Sequence, residues 1–198
     1  IMASPDRPNI LYLHCHDAGR YVQPYGYPVP TPRLQRLAEE GVLFRQAHCA
    51  NPTCSPSRAC LLTGTYAHTN GMLGLTHRGF ALKDPSWHLA HLLRAAGYET
   101  ALAGMQHVSA SKESALAACG YTRLLPGRDG NESGTAAAEA FLAESHDRPF
   151  FLDVGYTDPH RRGRGFREDP DRPDPRYLAV PAALPDHPRV REDFADYC

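Results

Sequence analysis

The stretch from residue 54 to residue 58, Cys-Ser-Pro-Ser-Arg, places a thiol, two hydroxyls and a fixed positive charge directly before an apolar run. A helix start needs only one small polar cap, so this turn carries more chemistry than its structure requires. A thiol-phosphatase nucleophile needs the spacing Cys-x5-Arg, but the sixth residue after Cys54 is Cys60. The thiolate interpretation therefore fails on spacing. Taken alone, Cys54 is also typical of a small buried side chain.

Further polar residues follow predicted strands, and they comprise His16, Asp17, His107, Asp158 and His160. In open α/β sheets, ligands bind beyond the carboxyl ends of the strands, so these residues are expected at one edge. Imidazoles, an arginine, a helix N-terminus and a metal-binding carboxylate together suit an anion. Each residue alone has a plainer interpretation. Asp17 is equally typical of a turn cap, the two later histidines are typical of hydrogen-bonded structural residues, and His68 and His77 are interpreted as structural or peripheral.

The elements that must position these residues alternate between strands and helices. The apolar runs predict strands, which lie at 9–14, 42–44, 99–103 and 150–156; the first is predicted to be buried and the last is apolar throughout. Helices are predicted at 31–40, 59–63, 88–96 and 134–145: the first and third are amphipathic, the last is rich in alanine, and Pro56 lies in the first turn of the second. Gly41 and Gly97 follow the first and third of these helices, and Thr31-Pro32 opens the first. This alternation predicts an α/β layered fold with a mostly parallel central sheet flanked by helices.

Charge and composition exclude several classes of function. The 198 residues carry 21 Lys+Arg against 22 Asp+Glu, so no basic excess indicates a nucleic-acid partner. No apolar run approaches the roughly 20 residues of a membrane span, and we expect no membrane partner. The N-terminal letters IMASPDRPN contain no apolar segment typical of a secretion signal, which favours a cytoplasmic over a periplasmic or secreted setting. The six cysteines lack a framework spacing and are predicted to be reduced.

The character of the chain changes after His160. Arg161, Arg162 and Arg164 form a run typical of solvated charge, and six prolines follow between residues 170 and 188. The letters VREDFADYC then begin a helical pattern at the chain end. The sequence thus predicts the N-terminal part of a catalytic domain at 1–165 and an irregular segment with the start of a helix at 166–198, with the remainder of the domain beyond it.

Residues 54–58, followed by Leu62-Thr63-Gly64, resemble the Cys-x-Pro-Ser-Arg motif of the sulfatase family and its trailing Leu-Thr-Gly. The resemblance extends along nearly the whole chain through the letters RPNILYLH, TPRLQRLAEEGVLFRQAH, HTNGMLGL and RPFFLDVGYTDPHR. The segments NGMLGL and DPHR are most similar to the N-sulfoglucosamine sulfohydrolase (heparan sulfamidase) branch. This resemblance implies the alkaline phosphatase fold.

The resemblance also implies a mechanism. A formylglycine-generating enzyme would oxidise Cys54 to formylglycine, whose hydrate attacks the sulfur of a sulfate ester or N-sulfate with help from a divalent metal. The substrate would be a sulfated small molecule or glycan, in most cases a sugar. The resemblance implies catalytic roles for Cys54, Arg58, His107 and His160, substrate binding by Asp158 and Arg161, and metal binding by Asp17, His16 and Cys54. Two alternatives stay open: a phosphonate monoester or phosphodiester hydrolase, and a non-catalytic relative that binds sulfated glycans.

Three departures from the family pattern matter. His16 stands where the family has an aspartate, so the family's Ca²⁺ is less well matched than Mn²⁺ or Zn²⁺, unless His16 is not a ligand. Met105 stands where the family has a lysine, which removes one cation from the expected site. The remaining metal ligands of the family pattern would lie beyond Cys198, so we expect the 198-residue chain alone to be inactive.

Overall fold

The structure is a computed structural model that describes residues 7–127, 131–161, 163, 165–166 and 171–198, with the backbone alone at 131–133. The chain divides into two compact units. The first unit comprises Ile1–Cys15 and His48–Thr157, and the second comprises His16–Ala47 and Asp158–Cys198. Arg162 and Arg164 of the predicted charge run lie outside the described residues. The predicted domain boundary at residue 165 stays a prediction.

Strands and helices alternate along the described chain, as the sequence predicts. The strands are β1 (Ile10–His14), β2 (Glu99–Gly104), β3 (Arg123–Leu124) and β4 (Phe150–Gly155). The α-helices are α1 (Pro32–Glu40), α2 (Cys54–Thr63), α3 (Ala67–Asn70), α4 (Leu89–Ala95), α5 (Lys112–Cys119), α6 (Asn131–Ala143) and α7 (Pro188–Tyr197). The four strands belong to the first unit and form one sheet in the order β1-β4-β2-β3, in which each pair is parallel. The predicted α/β fold with a parallel sheet is therefore confirmed.

The core of the first unit lies on both faces of the sheet. Leu152 and Val154 of β4 pack with Phe141 of α6 on one face, whereas Phe151 packs with Leu102 on the other. Helices α4 and α5 contribute to this second face. Because successive side chains of a strand point to opposite faces, a central strand with helices on both sides is apolar at nearly every position.

Two strand predictions need correction. Strand β1 forms, but Leu11 and Leu13 are 46% and 52% exposed, so the prediction that it is buried was wrong for one of its faces. This strand lies at an edge of the sheet, and no described element covers the side chains on that face. The predicted strand at 42–44 does not form, and Val42 and Phe44 are 78% and 70% exposed. A three-residue apolar run makes a strand only where a neighbouring strand can pair with it.

Helix α5 was missed because its start lacks the usual sequence pattern. Ser111 accepts a hydrogen bond from the Ser114 N–H at 3.1 Å, and the Ser114 hydroxyl accepts from the Ser111 N–H at 2.9 Å. This is a capping box with serine in the place usually taken by glutamate or glutamine. The sequence alone therefore offered only a run of serines, which is equally typical of a loop.

The second unit contains α1 and α7. Phe194 of α7 packs with Leu178 and with the rings of Tyr21 and Tyr197, and the predicted helix at the chain end is confirmed. Thr31 precedes α1 as predicted, but its hydroxyl accepts from the Gln23 N–H at 3.0 Å and does not cap the helix. Among the helices that the structure describes, none has the length and apolar character needed to cross a membrane. None of the six cysteines, all of which lie within the described residues, forms a disulfide.

Stability of the first unit is expected to depend on pH through His88. This side chain is 1% exposed, and its Nδ1 accepts from the Ala90 N–H at 3.2 Å at the start of α4. Burial lowers the pKa of His88 from 6.5 to about 4, so the unfolded chain binds a proton first as the pH falls. The neutral ring therefore contributes about 3 kcal/mol to the free energy of unfolding above pH 6.5. This contribution is lost as the pH falls from 6.5 to about 4.

Urea denaturation at pH 7 and pH 4 measures this loss. The variant His88→Asn keeps an acceptor for the Ala90 N–H but cannot titrate, so its loss over the same interval should be smaller by roughly 2–3 kcal/mol. His48→Asn replaces an exposed histidine of the same unit and should behave as wild type. Equal pH dependence in wild type and His88→Asn would contradict the prediction.

Candidate active site

Cys54 is the first residue of α2, so its side chain stands at the positive end of a ten-residue helix. The side chain is half-buried, and Thr53 before it is extended. The predicted position of Pro56 in the first turn is confirmed, and the helix begins earlier than predicted. The first backbone N–H groups of a helix have no partner within it. This turn therefore offers backbone donors to an anion beside residue 54.

Buried polar side chains hold α2 in place. Ser55 is fully buried and accepts from the Thr76 N–H at 3.3 Å. Asn70, also fully buried, donates to the Thr63 hydroxyl at 3.3 Å and accepts from the Met72 N–H at 2.9 Å. These bonds tie both ends of α2 to the segment with the letters HTNGMLGLT. That segment, quoted above for its resemblance, has a structural role in supporting the turn.

Arg58 is 8% exposed and is held at the end of β1. One guanidinium nitrogen donates to His14 Nδ1 and the other donates to the Cys15 carbonyl at 3.2 Å. The opposite ring nitrogen of His14, Nε2, lies 2.9 Å from Asp153 Oδ1 in β4. Sequence reasoning singled out Arg58 but missed His14 and Asp153. The signal was present, because an aspartate within an otherwise apolar strand must have a partner when it is buried.

His107 lies on a short loop after β2 and has a left-handed backbone, with φ of 61°. The neighbouring Gln106 holds this loop: its carboxamide oxygen accepts from the N–H groups of Val108 at 2.6 Å and Ser109 at 2.7 Å. The ring of His77 lies 6.4 Å from the His107 ring between centroids. The interpretation of His77 as structural or peripheral stays a prediction.

The loop that carries His107 starts where two strands approach closely. Gly104 has φ of 70°, and a Cβ there would lie 2.1 Å from the Gly155 carbonyl oxygen. A Cβ on Gly155 would in turn lie 1.6 Å from the Met105 carbonyl oxygen. Met105 itself is buried, 8% exposed, so the position where the family pattern has a lysine carries no charge. Both glycines are required for the ends of β2 and β4 to meet.

In the second unit, His16, Asp17 and His160 form one cluster, with a ligand atom from each within 4.8 Å of the others. His16 Nδ1 lies 3.7 Å from Asp17 Oδ1, and His160 Nε2 lies 3.9 Å from Asp17 Oδ2. His160 Nδ1 donates to the Arg161 carbonyl at 2.8 Å, so the lone pair of the neutral ring is on Nε2. Within the second unit, His160 thus joins the predicted metal ligands His16 and Asp17, and the predicted role of Cys54 as a metal ligand stays a prediction.

The two predicted substrate-binding residues lie beside this cluster. The Asp158 carbonyl accepts from the His16 N–H at 3.2 Å, and the Asp158–Pro159 peptide bond is cis. The Arg161 guanidinium donates to the Asp193 carboxylate of α7 at 3.0 Å. A cavity of about 540 Å³ in the same unit is lined by Asp17, Arg161 and several apolar side chains. Arg161 is therefore charge-balanced within its own unit.

Comparison with known proteins decides the family. The model of the sulfatase family matches residues 8–197. The chain belongs to the sulfatase family. This confirms the resemblance drawn from the motif at 54–58.

Individual sulfatases show how far the similarity extends. Human N-sulphoglucosamine sulphohydrolase is 34% identical over 215 residues, which cover 94% of this chain and 43% of that protein. A second protein, whose structure was solved in complex with its substrate D-glucosamine-2-N,6-O-disulfate, is 26% identical to this chain with a TM-score of 0.62. The match covers 78% of this chain and 35% of that protein. The phosphonate monoester hydrolase of Agrobacterium radiobacter shares the fold, with 23% identity and a TM-score of 0.59. This match covers 78% of this chain and 41% of that protein. The chain spans less than half the length of each.

The Gly104–Gly155 approach predicts a large difference between two glycine substitutions. Gly79 also has a left-handed backbone, with φ of 87°, but a Cβ there meets nothing within 4 Å. Gly79→Ala should cost about 1–2 kcal/mol in the free energy of unfolding, whereas Gly104→Ala should cost more than ~3 kcal/mol because backbone atoms must move. Urea denaturation measures both losses. Similar losses for the two variants would show that the close approach does not exist.

Proposed function

We propose that this chain carries the nucleophile and part of the metal site of a formylglycine-dependent sulfatase, which hydrolyses a sulfate ester or N-sulfate of a sugar. The observation that carries the proposal is the turn at 54–58, where Cys54 opens α2 and Arg58 is fixed one turn later by His14 and Cys15. Membership of the sulfatase family supports it. The names of two similar proteins, which refer to N-sulphoglucosamine and to a glucosamine disulfate, support a sulfated amino sugar as the substrate.

In this proposal, a formylglycine-generating enzyme uses dioxygen to oxidise Cys54 to an aldehyde, and the half-buried position at an open helix end suits the small polar group that results. One hydroxyl of the hydrated aldehyde attacks sulfur while the bond from sulfur to the sugar oxygen or nitrogen breaks, and the second hydroxyl then collapses to the aldehyde and releases sulfate. Arg58 and the N–H groups of α2 stabilise the negative charge that grows on the sulfate oxygens. Because Met105 is uncharged and buried, more of this stabilisation falls on Arg58. His107 transfers a proton, while Asp158 and Arg161 contact the substrate.

We further propose that His16, Asp17 and His160 hold a divalent transition metal. Two imidazole nitrogens and one carboxylate suit Mn²⁺ or Zn²⁺, whereas Ca²⁺ prefers six to eight oxygen ligands. The Arg161 carbonyl orients His160 by accepting its Nδ1–H, as hydrogen-bond partners of metal-binding histidines do. A bound ion would supply Lewis-acid polarisation of a sulfate oxygen. This assignment makes His160 a metal ligand, in place of the sulfate contact that the family pattern implies.

Metal analysis of the full-length protein tests the proposed ligand set. Wild type should bind about one equivalent of Mn²⁺ or Zn²⁺, and His16→Ala or His160→Ala should each weaken its affinity at least tenfold, since each removes a ligand. The control is His187→Asn, which changes an exposed histidine of the same unit and keeps its acceptor for the Arg189 N–H. Stoichiometric Ca²⁺, with unchanged affinity in His16→Ala, would contradict the assignment.

Peptide mass spectrometry and turnover assays test the sulfatase function. We expect the full-length protein, produced with a formylglycine-generating enzyme, to show the mass loss of aldehyde formation at Cys54 and to release sulfate. Cys54→Ala should lose at least 10³-fold in turnover because it cannot form the aldehyde and has no nucleophile, whereas Cys49→Ala, at an exposed cysteine, should retain turnover. The 198-residue chain, assayed beside the full-length protein, is expected to be inactive.

The same assays separate two other functions. Faster turnover of a phosphonate monoester or phosphodiester than of any sulfate ester would assign the protein to phosphonate hydrolysis, an alternative that the shared fold supports. An unmodified Cys54 thiol together with binding of sulfated glycan and no turnover would indicate a non-catalytic relative. The buried, uncharged Met105 is the feature that favours this last alternative.

A further inference from the structure

A line of buried hydrogen bonds joins Arg58 to the centre of the sheet. Asp153 of β4 is fully buried, and its Oδ2 accepts from the Tyr121 hydroxyl at 2.5 Å. Its Oδ1 lies 2.9 Å from His14 Nε2, and His14 Nδ1 faces Arg58. We call this series, Tyr121–Asp153–His14–Arg58, the Arg58 relay. All of its members belong to the first unit.

The donor and acceptor at each step of the relay follow from chemistry. A guanidinium has only donors, so His14 Nδ1 must accept from Arg58. The ring then carries its proton on Nε2, which donates to Asp153. Burial and the nearby Asp153 carboxylate raise the pKa of Tyr121 well above 10, so its hydroxyl remains a donor to the same carboxylate. His14 is thus a neutral ring placed between a cation and an anion.

Arg58 has few ways to move in this arrangement. Its guanidinium is held by two acceptors at the end of β1, the ring of His14 and the Cys15 carbonyl. The ring is itself fixed because Asp153 binds its other nitrogen, and Asp153 is fixed by Tyr121. An arginine side chain free in water has about 2 kcal/mol of rotamer entropy. Groups that stabilise a transition state act best when they are already in place.

We propose that Asp153, acting through the Nε2–H tautomer of His14, positions the Arg58 guanidinium for the sulfate. His14 and Asp153 are thus positioning residues, and the catalytic consequence rests on the sulfatase function proposed above. The competing view is that these buried groups contribute only to folding stability. If His14 and Asp153 position Arg58, a substitution that leaves the fold intact lowers kcat/KM. If they contribute only to stability, the same substitution lowers Tm and leaves kcat/KM unchanged.

Two substitutions at His14 separate these views in the full-length protein with formylglycine formed. His14→Gln keeps one acceptor and one donor, whereas His14→Leu has neither. We expect His14→Leu to lower kcat/KM for a sulfate ester at least 30-fold and His14→Gln to restore it to within about fivefold of wild type. Asp153→Asn, which removes the charge at nearly constant shape, should lower kcat/KM at least tenfold.

A matched control measures the effect of stability alone. Thr100 on the neighbouring strand β2 is also fully buried, and its hydroxyl donates to the Gly120 carbonyl at 2.8 Å. Thr100→Val should lower Tm without lowering kcat/KM. If His14→Leu behaves like Thr100→Val, with a lower Tm and unchanged kcat/KM, the positioning role is wrong.

A second readout does not depend on turnover. Imidazole ¹⁵N NMR of the full-length protein, with His14 assigned by its absence in His14→Gln, should show the proton on Nε2. A proton on Nδ1 would overturn the relay. If wild type turns over no sulfate ester, the proposed function fails. In that case the positioning role is tested by the position of the His14 proton and by calorimetry with inorganic sulfate. The affinity for sulfate should fall at least tenfold in His14→Leu and stay near that of wild type in His14→Gln.

Discussion

The contact of Arg58 with the end of β1 is the interaction on which the position of the turn at 54–58 depends. A guanidinium that is 8% exposed is costly unless its charge and its donors are satisfied. His14, the Cys15 carbonyl and, through His14, Asp153 meet that requirement. The same contacts fix where α2 begins relative to the sheet. One residue therefore places Cys54 at the carboxyl ends of the strands and supplies a positive charge beside it.

A second constraint acts at the ends of β2 and β4. The close approach of Gly104 and Gly155 leaves no room for a side chain, and the backbone then enters the loop that Gln106 holds. His107 is presented by this loop in a left-handed conformation. In the first unit, buried polar contacts thus stabilise the chain at the ends of β1 and β2, where Arg58 and His107 lie. The proposed metal-binding cluster of the second unit has its own support: the backbone carbonyl of Asp158 accepts from the His16 N–H, and that of Arg161 accepts from His160 Nδ1.

The sequence predicted the parallel α/β fold because its central strands are apolar at nearly every position and its helices carry regular apolar stripes. It also predicted membership of the sulfatase family, because the motif at 54–58 is local and specific. Long-range partners could not be found in this way. Asp153 is separated from His14 by 139 residues, and nothing in a one-dimensional pattern shows that the two strands are neighbours. The error at 42–44 has the same origin, since a strand needs a partner that the pattern does not reveal.

Two departures from the family pattern change the charge of the expected site in opposite directions. Histidine at position 16 removes one negative charge where the family has aspartate, and methionine at position 105 removes one positive charge where it has lysine. The summed charge of the expected catalytic and metal-binding residues is therefore unchanged. His16 lies within 4.8 Å of ligand atoms of Asp17 and His160, where an imidazole has a use. The departure at position 16 therefore favours a site adjusted to a nitrogen-binding metal, whereas the buried, uncharged Met105 favours a relative that has lost its activity. Metal content tests the first of these consequences, and turnover of a sulfate ester tests the second.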